Sequence, residues 1–310
     1  MKISYVAPRG IAGLQDMTVD LMSGSGRPHD LVLVTGPEAS GKTRFLELIL
    51  AGLEAIGPYE GIVRSEDWVD EGGTDGQVEL GIWLGETELG ARTSAARTLV
   101  TFGADGATSD APRALARLVS RYDHDPSHGK REYFHDGRQP AWGARRDGLG
   151  ALEQSLWRCS KDPQKYSFIG RFLSELERDP VRARAFSEGL ASLAEGVRYR
   201  PAPDDPEACF SSHGGLPVRL AELASAEADG AIIAATAALI GLHHSIVLLD
   251  RPERYVAPER VVAWVRALAE LGNDNQWIIA TSEPRLAASV DPAQLVSMGP
   301  LLTAVPEVGA

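Results

Sequence analysis

Residues 31–43, LVLVTGPEASGKT, restrict the fold of this 310-residue chain more than any other stretch. Leu31, Val32, Leu33 and Val34 form a short apolar run that reads as a buried strand. The run enters Gly36-Pro37-Glu38-Ala39-Ser40-Gly41-Lys42-Thr43, a complete G-x-x-x-x-G-K-[ST] phosphate-binding pattern. Gly36 and Gly41 let the backbone wrap tightly and aim its N–H groups at phosphate oxygens. Lys42 supplies a point charge for the β- and γ-phosphates, and the Thr43 hydroxyl is placed to ligand Mg²⁺. Phe45, Ile49, Leu53 and Ile56 then recur at helical spacing, so a helix should follow with its positive end at the same anion. Strand, loop and helix together predict a nucleoside triphosphate site, ATP with Mg²⁺, lined by residues 36–43 and Arg44.

The length suits one large domain, or a core carrying an inserted lobe. A net charge of −12 excludes a uniformly basic nucleic-acid binder but allows a local basic face. No apolar run approaches the roughly 20 residues that span a bilayer, and the N-terminus lacks the pattern of a signal peptide. The expectation is a cytoplasmic protein without membrane insertion. Cys159 and Cys209 lie far apart without metal-ligand spacing and read as reduced thiols.

In chain order, residues 1–6, 14–21, 61–64, 77–84 and 97–102 read as strands, with an acidic turn over 70–75. Residues 111–122 predict a helix and 130–134 a short strand. Residues 149–196 are mostly helical in pattern, with Leu152, Leu156, Phe168, Phe172, Leu173 and Leu176 as apolar positions. Segment 111–201 is therefore an inserted helical lobe, closed by the proline-rich 201–206. It separates an N-terminal half (1–110) from a C-terminal half (202–310). That second half predicts an apolar helix over 231–240, a strand over 243–250 ending in Asp250, a helix over 258–271 and a buried strand over 276–281. This alternation predicts an α/β fold with a mostly parallel sheet covered on both faces.

Asp250 ends the apolar strand Ile246-Val247-Leu248-Leu249, where a carboxylate can hold the Mg²⁺ that bridges phosphates. With these two motifs in order, the chain resembles the ABC-type ATPase heads of the RecF, SMC and OLD-like AAA group. The first 21 residues are similar to the N-terminal hairpin of those heads, which implies an N-terminal antiparallel β subdomain. Tyr133-Phe134-His135-Asp136-Gly137-Arg138 resembles the segment before their helical lobe. Leu223-Ala224-Ser225-Ala226-Glu227 stands where their signature belongs, about 25 residues before Asp250. Asp250-Arg251-Pro252-Glu253 and Ile279-Ala280-Thr281-Ser282-Glu283-Pro284 resemble their metal-binding and switch segments.

The resemblance also marks departures. Arg251 stands in place of the catalytic glutamate, Ser282 in place of the switch histidine, and Ala224 and Ala226 weaken the signature. Binding needs only cradle, lysine and metal, whereas hydrolysis also needs a positioned water and a stabilised transition state. Lys42, Asp250 and Glu253 are the candidate catalytic set, with Glu253 or Glu283 as the substitute carboxylate. Gln139 is the preferred glutamine for the metal, with Gln77 the alternative, and Ser225 is the signature contact to nucleotide. Tyr5 is the candidate for adenine stacking. His124, His128 and His135 read as solvated, and His243-His244 as ordinary strand-start residues. Arg145, Arg146, Arg158 and Arg171 are candidates for DNA contact.

The resemblance implies a nucleotide-gated head that forms a homo- or hetero-dimer, hydrolyses ATP weakly or not at all, and serves a separate effector protein. Its setting would be a bacterial multi-component system acting on DNA, including defence against phage and mobile elements. The alternatives are an active ATPase motor, a transporter subunit or a phosphotransferase.

Overall fold

The computed structural model describes residues 1–57, 65–69, 73, 75–90, 93–139, 148–200, 209–211 and 215–300. The expected strand at 61–64, most of the 70–75 turn, Arg145, Arg146 and the 201–206 punctuation lie outside them.

The described residues form three sheets. The first is antiparallel and joins Lys2–Arg9 (β1), Val19–Asp20 (β2), Asp75–Leu84 (β4), Ser94–Gly103 (β5) and Gly106–Ser109 (β6) in the order β2-β1-β4-β5-β6. The second is parallel at every pairing. It joins Leu31–Thr35 (β3), Arg131–Phe134 (β7), Ile246–Asp250 (β11), Gln276–Thr281 (β12) and Leu295–Ser297 (β13) in the order β13-β3-β12-β11-β7. A small antiparallel sheet joins Arg198–Tyr199 (β8), Phe210–Ser211 (β9) and Pro217–Val218 (β10). The helices are Lys42–Ile56 (α1), Glu86–Leu89 (α2), Arg113–Val119 (α3), Ala151–Trp157 (α4), Ile169–Glu175 (α5), Pro180–Leu193 (α6), Ser225–Ile240 (α7), Val261–Ala269 (α8) and Pro284–Ala287 (α9).

The parallel sheet divides two apolar cores. Val32, Val34, Ile246, Leu248, Ile278 and Ala280 face α1 and the antiparallel sheet. Leu33, Val247, Leu249, Trp277 and Ile279 face α5 to α8. Every residue of β11 and β12 is buried, which is why these strands read as unbroken apolar runs rather than alternating ones. Helix α7 is apolar on nearly all sides because it is enclosed: residues 228–240 are all buried. It packs closely on α6, and a Cβ added at Gly189 would lie 3.2 Å from Ala234 Cβ.

Several expectations need correction. The 14–21 strand is reduced to Val19–Asp20. β7 falls inside the 111–201 segment but pairs with β11, so it belongs to the core sheet. Leu152 and Leu156 are exposed on α4, whereas Phe168, Phe172, Leu173 and Leu176 are buried. As expected, Cys159 and Cys209 are buried thiols outside any disulfide, and burial pushes the Cys159 thiol up to about 12.

Candidate nucleotide site

Three adjacent parallel strands, β3, β12 and β11, end on one edge of the sheet and set out the site. β3 runs into the glycine loop. Gly36 takes φ +154°, and a Cβ there would lie 2.5 Å from the Met298 carbonyl. Gly41 takes φ +87°, and its Cβ would lie 2.9 Å from the Gly13 carbonyl. Only glycine fits such close backbone approaches. Lys42 Nζ donates to the carbonyls of Gly36 at 3.0 Å and Pro37 at 2.6 Å. Burial lowers its pKa, and Arg251 lowers it further, against Glu253, Asp250 and Glu38.

Thr43 Oγ1 donates to Asp250 Oδ2 at 2.8 Å, joining the phosphate loop that follows β3 to the end of β11, with β12 between the two strands. Burial pushes the Asp250 carboxyl up to about 6, although the Thr43 hydrogen bond pulls the other way. Asp250 Oδ1 and Ser40 Oγ are buried without a hydrogen-bond partner among the described residues. Two oxygen donors, a glycine cradle, a lysine and the N-terminus of α1 fit a phosphate chain with a hard divalent cation.

Glu38, Ala39, Ser40, Gly41, Lys42, Thr43 and Arg44 line a cavity of about 620 Å³ together with Gly13, Arg251 and Ser282. Arg44 is held there by the Ala12 carbonyl at 3.0 Å and lies 3.8 Å over the Trp68 ring. Glu253 is turned to the next strand. Its carboxylate accepts from Thr281 Oγ1 and from the Ser282 N–H, each at 2.8 Å.

Ser225 and Gln139 come together elsewhere. They line a hollow of about 190 Å³ with Arg138, Leu223 and Tyr255, not the cavity of the phosphate loop. Ser225 is the exposed first residue of α7. Gln77 lies within β4, and the Tyr5 ring is covered by Arg97 at 3.8 Å, so neither lines the phosphate-loop cavity.

Arg138 joins the two places. It is fully buried, donates to Asp229 through Nε at 2.6 Å and Nη2 at 3.3 Å, and reaches the Asp250 carbonyl through Nη1 at 2.7 Å. Asp229 lies on the second turn of α7, so one guanidinium ties that helix to the end of β11. Sequence reasoning passed over Asp229. The signal is an acid set against the long apolar run 230–240, an acid that must find a partner when buried.

Arg158 is 1% exposed and lies 4.8 Å over the Tyr122 ring, so burial removes it from any DNA-contacting face. Arg171 is exposed on α5 and pairs with Glu175 at 2.9 Å. His135 is not solvated but buried, stacked on Tyr166 at 5.9 Å. Burial, with Lys165 and Arg138 nearby, lowers its pKa to about 4. A histidine kept neutral in the fold contributes stability that is complete above about pH 6.5 and is lost as the pH falls towards 4. Urea unfolding between pH 7 and 4 should therefore show a loss in the parent that exceeds that of His135→Phe by up to about 3 kcal/mol. Parallel pH curves for the two proteins would refute this.

No protein-family model and no curated protein matches the sequence. Solved structures do. The SMC head bound to the C-winged helix domain of ScpA superposes with a TM-score of 0.58, at 14% identity, over 96% of this chain and 94% of the other. The SMC head domain from Thermotoga maritima gives 0.52 at 12% identity, over 96% and 94%. The Smc head domain with an extended coiled coil, bound to the C-terminal domain of ScpA derived from Pyrococcus furiosus, gives 0.57 at 14%, over 96% and 93%. None of the helices among the described residues is long and apolar enough to cross a membrane. With its parallel sheet, its antiparallel sheet and the phosphate loop at the strand ends, this chain has the α/β fold of an SMC head domain, an ABC-type ATPase fold.

Proposed function

We propose that this chain is an ATP-binding head that pairs with a second head, a copy of itself or a related chain, when Mg²⁺ and ATP are bound. It hydrolyses ATP weakly or not at all, and so acts as a nucleotide-held switch or scaffold for a separate effector. One observation carries the reading. The binding apparatus is assembled, with Thr43 on Asp250 and Lys42 in the loop, while Arg251 and Ser282 line the phosphate cavity.

The residues divide the work. Gly36 to Gly41 cradle the phosphates with backbone donors, and Lys42 moves from its carbonyl perches to the anion. Thr43 and Asp250 would supply the protein oxygens for Mg²⁺, which would neutralise charge on the phosphates. A water poised for attack needs an acceptor to hold it, and a guanidinium at 251 accepts nothing. Each oxygen of Glu253, the substitute carboxylate, accepts a hydrogen bond from residue 281 or 282, which holds the group against β12. This favours the switch over the motor reading.

Ser225, exposed at the start of α7, would meet the nucleotide held by the other head. Two of the matched heads were solved with a domain of ScpA, which supports a role in holding a partner protein. A DNA-directed bacterial system, including phage defence, is the setting that the family resemblance suggests.

The test is calorimetric ATP binding with and without Mg²⁺, phosphate release on the same sample, and the solution mass in each state. Mg²⁺-dependent binding, a doubled mass with ATP and phosphate release near background are expected. Turnover of about 1 per second or faster, ordinary for an enzyme, would make the chain a motor. An unchanged mass would remove the switch.

A further inference from the structure

We propose that Arg251 is a cation supplied within the chain for the terminal phosphate of the bound nucleotide, and that it makes the site select a triphosphate over a diphosphate. This rests on the nucleotide-binding reading above and goes beyond it, because it gives the residue that departs from the glutamate a role of its own.

The backbone comes first. Arg251 directly follows Asp250 and takes φ +51°, ψ +62°, the left-handed region that residues with a Cβ seldom occupy. Its N–H donates to the Ala280 carbonyl at 2.9 Å, and its carbonyl accepts from the Arg254 N–H at 3.1 Å. The strained turn is thus fastened on both sides, which is how a fold keeps a side chain aimed from an unfavourable backbone.

The side chain comes next. Arg251 is exposed and lines the same cavity as Lys42, Thr43 and Ser282. Among the described residues its guanidinium makes no hydrogen bond and no ion pair. Its neighbours behave otherwise: Arg254 pairs with Asp136, Arg260 with Glu195 and Arg285 with Glu259. Of the nearby carboxylates, Glu253 engages residues 281 and 282 and Asp250 engages Thr43, while Glu38 lines the same cavity without pairing with Arg251. Lys42 and Arg251 therefore bring two positive charges, from two different strand ends, to one cavity.

That arrangement favours a multiply charged anion. The loop and the α1 N-terminus hold phosphate groups of a diphosphate and a triphosphate alike. A second cation at the end of β11 is useful to the ligand carrying the additional phosphate. A guanidinium presents a planar fork of donors that matches phosphate oxygens, and it never gives up its proton. It can hold the terminal phosphate but cannot serve as a base towards water.

The experiment measures calorimetric Kd values for ATP and ADP, both with Mg²⁺, on the full chain, Arg251→Ala and Arg251→Lys, with thermal unfolding as the folding control. The parent should bind ATP about tenfold or more tightly over ADP, the effect of one charge-assisted contact. Arg251→Ala should lose that preference while its ADP affinity stays within about twofold, and Arg251→Lys should recover part of it. Equal affinity of the parent for both nucleotides, or an equal loss for both in Arg251→Ala, overturns the proposal and leaves nucleotide binding standing. A parent that binds neither nucleotide overturns the underlying reading instead.

Discussion

Arg138→Ala is expected to lower the stability of the chain by about 3–5 kcal/mol, the usual consequence of removing one partner of a buried ion pair. Both side chains of the Arg138–Asp229 pair are fully buried. Truncating the arginine leaves the Asp229 carboxylate in an apolar helix with no compensating charge, and burial already pushes that carboxyl up. It also strips a donor from three carbonyls, those of Phe134, His135 and Asp250. Urea unfolding reads the effect as a lower midpoint at unchanged slope. Arg138→Met with Asp229→Leu should recover most of the loss, since a well-packed apolar pair can replace a buried ionic one. A loss below about 1 kcal/mol in the single variant would mean that the pair does not carry the junction between α7 and β11.

Asp250→Asn should separate stability from binding. The folded protein holds the Asp250 proton more tightly than the unfolded chain, because burial raises the pKa from 3.8 to about 6. The penalty is therefore absent below about pH 3.8, grows between 3.8 and 6, and is complete above. At pH 7.5 without metal, the asparagine variant should be more stable by about 1–3 kcal/mol, and near pH 4 the two proteins should converge. The same change removes the charge proposed to hold the metal, so Mg²⁺ should no longer tighten ATP binding. A variant that is less stable at pH 7.5 would show that burial does not penalise the carboxylate, and one that keeps its Mg²⁺ response would show that the carboxylate is not the metal's ligand. Gains in stability at the expense of a binding group are a common feature of functional sites.

The parts of this site that could be read in the sequence are those that local backbone geometry dictates. The glycine positions, Lys42 and Thr43 follow from a strand–loop–helix of fixed spacing. Asp250 follows from an apolar strand with an acid at its end. The expected strand over 276–281 coincides with β12 because a buried parallel strand leaves an unmistakable apolar run. What escaped depends on depth and on partners distant in the chain. Arg158 and His135 look like surface residues in a list of polar letters, and only the packed fold puts them inside. The Arg138–Asp229 pair joins positions 91 residues apart, and Glu253 meets Ser282 across 29. Strand β7 was assigned with the helical segment because its partner, β11, lies more than 100 residues further on. The left-handed turn at Arg251 has no signature at all, since arginine is not a residue that announces such a conformation.

The order of strands in the parallel sheet also has a consequence for synthesis. β3, the first strand of that sheet to leave the ribosome, lies between β12 and β13, which are the last. At about 5–20 residues per second, its unpaired N–H and C=O edges wait on the order of tens of seconds for either neighbour. The phosphate loop cannot be fastened to Asp250 or Met298 in that interval. The nascent chain is thus a long-lived client for holding factors, and its two halves made as separate polypeptides would each carry an unpaired sheet edge until they met.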